Sequence, residues 1–328
     1  MIFRRTKQRV HSRGKEQSMI HSYLKFTDHL EQINAYAKAR PESFIRRVEE
    51  SFQESVREVA DAVEASGGAC KVIMLSGPSA SGKTTTARKV MEELEKRGFG
   101  AVTISLDDFY LGEGKAPRLP SGEHDYESVH ALDVPEIERC LLSLMLNGAC
   151  DMPVFDFPAR RPSPERRHVE LGERDIAVVE GIHALNPLIT EHLPEQGMLK
   201  LYISVKQGLK DADGEVLSHQ DIRLIRRVVR DYQYRGALPE ESLAMWDAVC
   251  AGERRYIQPF KRTSDQTINS IHIYEPCVFR AIATPLFAMI PAESPHAPLA
   301  QRLISALQRF EPIENALVPA NSLLREFL

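Results

Sequence analysis

The stretch Gly77-Pro78-Ser79-Ala80-Ser81-Gly82-Lys83-Thr84 follows a short apolar run, Lys71–Ser76, and opens a helical pattern. It fits the spacing G-x-x-x-x-G-K-[ST], in which the glycines let the backbone wrap closely around phosphate groups. Consecutive N–H groups and the start of the helix then face the anion, and the lysine brings a positive charge to the β- and γ-phosphates. The stretch predicts a nucleoside triphosphate site, with the binding residues Gly77, Ser79, Ala80, Ser81, Gly82, Lys83, Thr84 and Thr85.

Short apolar runs alternate with helical patterns on the C-terminal side of this loop. With the run before the loop, the apolar runs have the length of strands, and they are Lys71–Ser76, Ala101–Leu106, Met152–Phe155, Asp175–Val179, Lys200–Val205 and Gln266–Asn269. Helical patterns follow the loop and cover residues 134–147 and Asp221–Tyr234. Strands that are apolar throughout and alternate with helices are typical of a parallel sheet covered on both faces. We therefore expect an α/β fold with a doubly wound, mostly parallel sheet.

Both ends of the chain are predicted to be attached to this sheet. From Pro41 to Ser66 apolar side chains recur every three or four residues, which indicates a helix with one buried face. Residues 1–18 hold six basic side chains and one acidic one, so we expect a solvated arm, with a phosphate-contacting arm as the alternative. The tail Pro312–Leu328 is expected to dock as a helix, or else to contact another chain. We divide the chain into an N-terminal arm and helical lead-in (1–68), a P-loop domain (69–292) and a helical tail (293–328).

Composition excludes several classes of protein. The chain has 328 residues, of which 43% are apolar and 27% charged, and this excludes a wholly disordered chain. No apolar run approaches the roughly 18 residues of a membrane span. Five cysteines without a CxxC pair indicate reduced thiols and a cytoplasmic location. The net charge of −4 argues against nucleic acid or an anionic membrane as the partner.

Two carboxylates are predicted to lie beside the phosphate loop. Asp107 follows one apolar run directly, and Glu180 ends another. Ligands of a parallel sheet sit at the carboxyl ends of its strands, so both side chains should open onto the same crevice as the loop. A carboxylate at the end of a buried strand needs a cation or hydrogen bonds, and Mg²⁺ would supply the cation. The alternatives are a turn-capping role for Asp107 and a structural hydrogen bond for Glu180.

Four arginines share one predicted helical face at the spacing i, i+3, i+4 and i+7, and they are Arg223, Arg226, Arg227 and Arg230. Like charges so placed repel one another by roughly a few tenths of a kcal/mol per pair. An anion facing the stripe would reverse that sign, and guanidinium groups suit phosphate. We expect a helical lid that closes over the triphosphate, the alternative being a solvated basic face with acidic partners.

A triphosphate beside a carboxylate base suits transfer of a phosphoryl group to a second ligand, the acceptor. We expect this acceptor to bind beside the long loop Leu111–Val129, because long loops in compact domains are often lids or binding loops. Within it Tyr126 could stack on a ring and Glu127 could accept hydrogen bonds from sugar hydroxyls, although both residues also suit the start of a helix. Phe155 and Arg160 lie near a turn further on, where aromatic side chains are more often part of the core.

The segments GPSASGKTT, LDDFY, HDYESVHALD, PVFDF, VVEGIHALNP and RLIRRVVRDYQYRG, in this order, resemble the uridine kinase–phosphoribulokinase family of P-loop kinases. GERRYIQPF and TINSIHIYE extend the resemblance, which covers roughly residues 70–290. It is strongest to bacterial uridine-kinase-like nucleoside kinases with an extra N-terminal region. Oligomers are common in that family. The resemblance implies a P-loop kinase fold with an N-terminal helical extension and a helical lid.

The resemblance also implies roles for particular residues. Asp107 corresponds to the base that takes the proton from the nucleoside 5′-hydroxyl. The metal positions fall on Thr84, Asp107 and Glu180. Substrate contacts fall on Tyr110, Tyr126, Glu127, Phe155, Arg160 and Arg223. The transferring group would be neutralised by Lys83, Arg226 and Arg227, and the lid would contribute Arg226 and Arg230 to nucleotide binding. Phe155 and Arg160 stand where uridine–cytidine kinases have Tyr and His, so the resemblance does not fix the base.

The leading hypothesis is therefore an ATP- and Mg²⁺-dependent kinase that acts on the 5′-hydroxyl of a nucleoside. The alternative enzyme is a kinase of a sugar phosphate or another small polyol, which would use Arg118, Arg160 and Arg161. A nucleotide-switched binding module is less favoured, because the sequence has no [NT]-K-x-D tetrapeptide to read guanine. A nucleic-acid-binding ATPase would have to rest on the first 18 residues, against the net charge.

Overall fold

A computed structural model describes residues 28–328. The basic arm predicted for residues 1–18 lies outside the described residues. None of the helices in the described part of the chain is both long and apolar enough to cross a membrane.

The central sheet is five-stranded and parallel, and five of the six predicted apolar runs form it, the exception being Met152–Phe155. Its strands are β1 (Val72–Ser76), β2 (Ala101–Ser105), β5 (Ile176–Glu180), β6 (Met198–Ser204) and β9 (Gln266–Asn269). They lie in the order β2-β5-β1-β6-β9. All five residues of β1 are buried, because this strand lies at the centre with helices over both faces. The register aligns Leu75 of β1 and Ser105 of β2 with Glu180 of β5, so the chain ends of these strands meet at one edge.

Helices flank the sheet, and further helices precede its first strand and follow its last strand in the described chain. They are α1 (Leu30–Ala39), α2 (Pro41–Ala65), α3 (Lys83–Lys96), α4 (Val134–Asn147), α5 (Pro187–Thr190), α6 (His219–Arg235), α7 (Pro239–Tyr256), α8 (Glu275–Ala288) and α9 (Ala297–Gln308). The apolar face predicted for α2 is buried, including Phe44, Phe52 and Val59. The prediction of a doubly wound α/β fold is confirmed.

Two antiparallel hairpins lie outside the central sheet. One pairs β3 (Ala149–Asp156) with β4 (Arg161–Glu170), and the other pairs β7 (Leu209–Lys210) with β8 (Glu215–Leu217). The predicted run Met152–Phe155 is the centre of β3. The sequence gives no sign of β4, because most of its side chains are polar and exposed and no apolar alternation marks the strand.

A continuous buried cluster joins α2, one face of the sheet and the C-terminal tail. The tail docks as expected through Leu323, Leu324 and Phe327, all fully buried. It is not the predicted helix: beyond α9 it forms two short 3₁₀ turns, Asn315–Leu317 and Leu323–Glu326. Pro312 and Pro319 account for the difference, because proline removes a backbone donor and disfavours helix in the preceding residue. The division at residues 68 and 292 stays a prediction.

Candidate active site

The phosphate loop connects β1 to α3 in a conformation that requires its glycines. A Cβ at Gly77 would lie 2.2 Å from the carbonyl oxygen of Ile203 in β6. Gly82 has φ +86°, and a Cβ there would lie 2.6 Å from Leu323 of the tail. Ala80 also has a positive φ, of 56°, a conformation that non-glycine residues adopt rarely and that often marks functional loops. The chain therefore builds the cradle by close approach of strand, loop and tail.

Lys83 is the centre of charge at this site. Its Nζ donates to the carbonyl of Pro78 at 3.1 Å. Desolvation lowers the pKa of Lys83, and four neighbouring carboxylates oppose that shift, in the order Glu180, Glu326, Asp107 and Glu253. The structure thus brings together Lys83, Asp107 and Glu180, which the sequence placed in one crevice. It adds Glu253 and Glu326, to which the sequence analysis gave no role.

Ser105 ties the two predicted carboxylates together. Its Oγ donates to Oε1 of Glu180 at 3.0 Å and accepts the backbone N–H of Asp107 at 3.3 Å. Ser105 and Glu180 are direct register partners at the ends of β2 and β5. Sequence reasoning missed Ser105, since only the strand order shows that it faces Glu180.

Both carboxyl groups have pKa values above the usual range. Asp107 is exposed as a residue, but the surrounding protein removes part of the solvent from its carboxyl group and so raises its pKa. The charge of Asp108 also raises the pKa of Asp107, whereas the charge of Lys83 lowers it. Burial also raises the pKa of Glu180, again opposed by Lys83, while Asp107 adds to the rise. The two carboxylates therefore repel each other and are held beside one ammonium.

Helix α6 holds Arg223 and Arg227 on the loop from the other side. Nε of Arg223 donates to the carbonyl of Ser79 at 2.9 Å, and its Nη2 binds Glu253. The Oε1 of Glu253 also accepts the backbone N–H of Ser79 at 3.0 Å. Nη1 of Arg227 donates to Oγ of Ser79 at 3.0 Å. Ser79 is thus bound by two arginines and one glutamate.

Acidic partners accompany the rest of the arginine stripe. Nε and Nη2 of Arg230 both donate to Oδ1 of Asp231, at 3.0 and 2.8 Å. Asp231 also lies 3.3 Å from Nε of Arg227, four residues earlier. The stripe is therefore largely buried and paired with acidic side chains. It has the acidic partners of the alternative interpretation, but it is not the solvated face that this alternative assumed.

The aromatic side chains of the acceptor side form one group. The rings of Tyr110 and Phe155 are 6.0 Å apart, and Phe155 lies 5.1 Å from Phe157. The hydroxyl of Tyr110 donates to the carbonyl of Tyr126 at 3.3 Å, which joins this group to the long loop. Burial raises the pKa of Tyr110, and Asp107 contributes to that rise. The group therefore borders the predicted base.

Glu127 is held near the same charges. Burial raises its pKa and Glu253 adds to the rise, while Arg227 and Lys83 oppose it. Nε2 of His183 bonds to the carbonyl of Glu127 at 2.9 Å. Burial lowers the pKa of His183 to about 4, so this imidazole is neutral at pH 7 and holds the loop Leu111–Val129 through its bond to Glu127.

Arg160 is held away from these contacts. Its Nη1 donates to Oε1 of Glu113 at 3.0 Å, and its side chain is 71% exposed. Its φ of +50° places it at the tip of the β3–β4 hairpin. Arg118 likewise donates to the carbonyl of Gly122, at 2.6 Å. Each of these two arginines is therefore bonded to a residue close to it, Arg160 to Glu113 and Arg118 to Gly122.

The chain has a phosphate loop between a strand and a helix, with carboxylates at the ends of the two adjacent strands β2 and β5. A comparison of the whole chain with models of protein families is consistent with this arrangement. The model of the "Phosphoribulokinase / Uridine kinase family" matches residues 72–274. The chain belongs to this family. The match contains the loop, Asp107, Glu180 and the arginine helix, but neither α2 nor the tail.

Named relatives of the family are similar to this chain. A uridine kinase from Deinococcus deserti is 31% identical over 208 residues, which is 63% of this chain and 91% of the relative. A uridine kinase from Lactobacillus johnsonii is 30% identical over 195 residues, 59% of this chain and 83% of the relative. A solved D-glycerate 3-kinase from Cryptococcus neoformans has a TM-score of 0.42 at 18% identity, covering 65% of this chain and 92% of that one. As a member of the phosphoribulokinase/uridine kinase family, the protein is a kinase.

Within this family member, Arg226 has a different role from the predicted one. Its side chain is fully buried. Nε and Nη2 donate to the two oxygens of Glu275 at 2.6 and 2.8 Å, and Nη2 also donates to the carbonyl of Ser270 at 2.7 Å. Nη1 reaches the carbonyl of Ala80 at 3.3 Å. With its donors used in this way, Arg226 fixes the loop to α8 rather than facing a transferring phosphate.

Proposed function

We propose that the protein transfers the γ-phosphoryl group of ATP, with Mg²⁺, to the 5′-hydroxyl of a nucleoside. The observation that carries this proposal is the convergence of Lys83, Asp107 and Glu180 where β1, β2 and β5 end side by side. The uridine kinases among the relatives favour a nucleoside as the acceptor. The buried free thiols of all five cysteines support a cytoplasmic location.

The triphosphate would lie along the loop and the start of α3. Backbone N–H groups from Ala80 to Thr85 and the positive end of the helix would bind its oxygens. Lys83 and Arg227 would offset the charge that spreads over the transferring group, which is the main contribution a protein makes to phosphoryl transfer. Arg226 would act only by holding the loop in place.

Asp107 would accept the proton of the attacking hydroxyl. A carboxylate whose pKa is raised toward the working pH is a better base while remaining largely ionised. Ser105 would position this carboxylate through the backbone N–H of Asp107. The charge of Lys83 would keep Asp107 ionised and direct it toward the γ-phosphate.

The donor set fits Mg²⁺, which takes oxygen ligands and keeps several waters. Thr84 presents an exposed hydroxyl at the start of α3, and Glu180 and Asp107 present two carboxylates that repel each other. No group of three His, Cys, Asp or Glu side chains among residues 28–328 forms a metal site by itself, so the remaining ligands would come from phosphate and water. Bound Mg²⁺ would neutralise charge on the β- and γ-phosphates.

The nucleoside would lie against the Tyr110–Phe155–Phe157 group. Glu127 would accept hydrogen bonds from the ribose hydroxyls, and Arg223 and Tyr126 would border the pocket. These aromatic rings give a stacking surface with few polar groups to read a base edge, and such a surface discriminates weakly between bases. A preference for one pyrimidine should therefore be modest.

A sugar phosphate is the alternative acceptor. It would need the cations Arg118, Arg160 and Arg161 near its phosphate. Because Arg118 and Arg160 are bound to Gly122 and Glu113, the structure gives this alternative less support.

An acceptor panel tests the proposal. The purified protein with ATP and Mg²⁺ should release ADP above the acceptor-free background with uridine, cytidine or inosine, and not with ribulose 5-phosphate. Lys83→Ala is the matched control, since it removes the ammonium that the transferring group requires. Stimulation by ribulose 5-phosphate alone would reject the nucleoside and support the alternative acceptor.

The acid limb of activity should lie above the ordinary pKa of an aspartate. Since the pKa of Asp107 is raised above 3.8, its basic form is lost as the pH falls through that higher value, and kcat/KM should fall with it. The profile is measured from pH 8 down to pH 3.5 with circular dichroism as a check on folding. Glu127→Gln should keep the limb, although the pKa of Glu127 is also raised. An acid limb at or below the ordinary aspartate pKa of 3.8 in the folded protein would count against Asp107 as the base.

A further inference from the structure

The last turn of the described chain reaches into the phosphate loop. Oε2 of Glu326 accepts hydrogen bonds from the backbone N–H and the Oγ1 of Thr85, at 3.3 and 2.8 Å. These two residues are 241 positions apart in the chain. Thr85 is among the residues predicted to bind the triphosphate, and its N–H belongs to the first turn of α3. A carboxylate thus occupies donors that an anionic ligand of the loop would use.

The backbone that carries Glu326 is fixed, whereas its side chain is not fully enclosed. Ser322, Leu323, Leu324 and Phe327 are completely buried. Ser322 donates to Glu49 of α2, and the guanidinium of Arg226 lies 5.2 Å from the ring centre of Phe327. Glu326 itself is only half-buried. Its carboxylate can therefore leave Thr85 by side-chain rotation while the tail stays docked.

The charge of Glu326 acts on the same groups as a nucleotide would. It is the second-largest influence among the four carboxylates on the Lys83 ammonium, and it also acts on Glu180. A triphosphate in the loop would bring several negative charges to these positions. Two anions cannot share the donors of Thr85, and close like charges repel. Binding of the nucleotide should therefore displace the carboxylate.

We propose that Glu326 competes with the nucleotide for Thr85 and thereby sets the affinity of the loop for nucleoside triphosphates. This inference rests on the proposed function only in that the loop binds such a ligand. Glu326 is an affinity-determining residue from outside the span shared with the family model, which ends at residue 274. While no nucleotide is bound, the Glu326 carboxylate would also keep the donors of Thr85 hydrogen-bonded.

The test compares Glu326→Gln with the wild type by titration calorimetry with ATP, with and without Mg²⁺. The amide keeps the size of the side chain but removes its charge, so the Kd for ATP should fall about tenfold, the ratio expected for loss of one charge-assisted hydrogen bond. The KM for ATP should fall likewise, while the KM for the acceptor should not change. Glu314→Gln is the matched control, since Glu314 is an exposed tail glutamate, and it should bind ATP as the wild type does.

The outcomes separate this inference from the proposed function. Equal or weaker ATP binding by Glu326→Gln, beside a wild type that binds ATP, would overturn the competition alone. Failure of every variant and of the wild type to bind ATP would overturn the nucleotide site and the competition together. Should Glu326→Gln melt before the assay temperature, Glu326→Asp decides: its shorter side chain draws the charge back, so its Kd should lie below that of the wild type, and an unchanged Kd would reject the inference.

Discussion

Asp107→Asn should lower kcat by about 10²–10⁴-fold while the Kd for ATP changes little. The amide keeps the shape of the side chain, and the backbone N–H of residue 107 can still bind Ser105, but no group remains to accept the proton of the acceptor hydroxyl. Steady-state kinetics with the best acceptor of the panel measure kcat, and calorimetry measures ATP binding. A loss confined to KM would instead indicate a binding role for Asp107.

The neighbouring aspartate provides the matched control for this substitution. Oδ1 of Asp108 accepts the backbone N–H of Phe155 at 3.3 Å, and an asparagine oxygen can accept the same bond. Asp108→Asn should therefore retain kcat within a few-fold. Wild-type turnover in Asp107→Asn would remove Asp107 from the chemical step, and equal losses in both variants would show that the effect is one of local folding.

Arg226→Met should lower the free energy of unfolding by about 3–5 kcal/mol. The substitution leaves Glu275 charged and buried with its bidentate partner gone, and removing one member of a buried pair is costly for that reason. Urea unfolding followed by circular dichroism measures the change. The loop should also lose the bond to Ala80, so ATP binding should weaken in the folded fraction.

Two further variants separate burial of the charge from loss of packing. Arg226→Met combined with Glu275→Gln should recover much of the stability, because no uncompensated charge remains and the Gln oxygen can still accept the N–H of His272, which Glu275 now accepts at 2.9 Å. Arg230→Met should cost less, since its partner Asp231 keeps two other guanidinium groups, those of Arg227 at 3.3 Å and Arg235 at 3.5 Å. A loss below about 1 kcal/mol in Arg226→Met is typical of an exposed ion pair, and it would contradict the expected cost of leaving Glu275 buried and unpaired.

The sequence predicted the sheet and the loop because both have strong local patterns. β1 and β5 are apolar throughout, as buried parallel strands must be, and the loop spacing specifies a strand before it and a helix after it. Asp107 and Glu180 could be placed near the loop by the rule that ligands lie at the carboxyl ends of strands. Their closeness to Lys83 needed no long-range information beyond that rule.

The parts of the site that sequence reasoning missed depend on contacts between distant segments. Nothing around Glu253 or Glu326 marks them as partners of the loop, since each is one acidic residue in an ordinary helical or turn sequence. The stripe predicted a free anion site because Glu275, the partner of Arg226, lies 49 residues further on. Asp231 was closer at hand, four residues after Arg227, and its i, i+4 spacing could have indicated pairing within the helix.

The dependence of the loop on both ends of the described chain limits how this enzyme could be shortened. Glu49 of α2 accepts hydrogen bonds from Tyr274 and Ser322, so helix, β9–α8 turn and tail meet at one carboxylate. Phe52 of α2 packs 5.2 Å from the ring of His272 in that turn. A minimal fragment cut to residues 72–274 would lose both α2 and the C-terminal tail, and β9 would become exposed to water on the side that α2 covers. In this family member, the lead-in helix and the tail therefore belong to the folded unit that supports the phosphate loop.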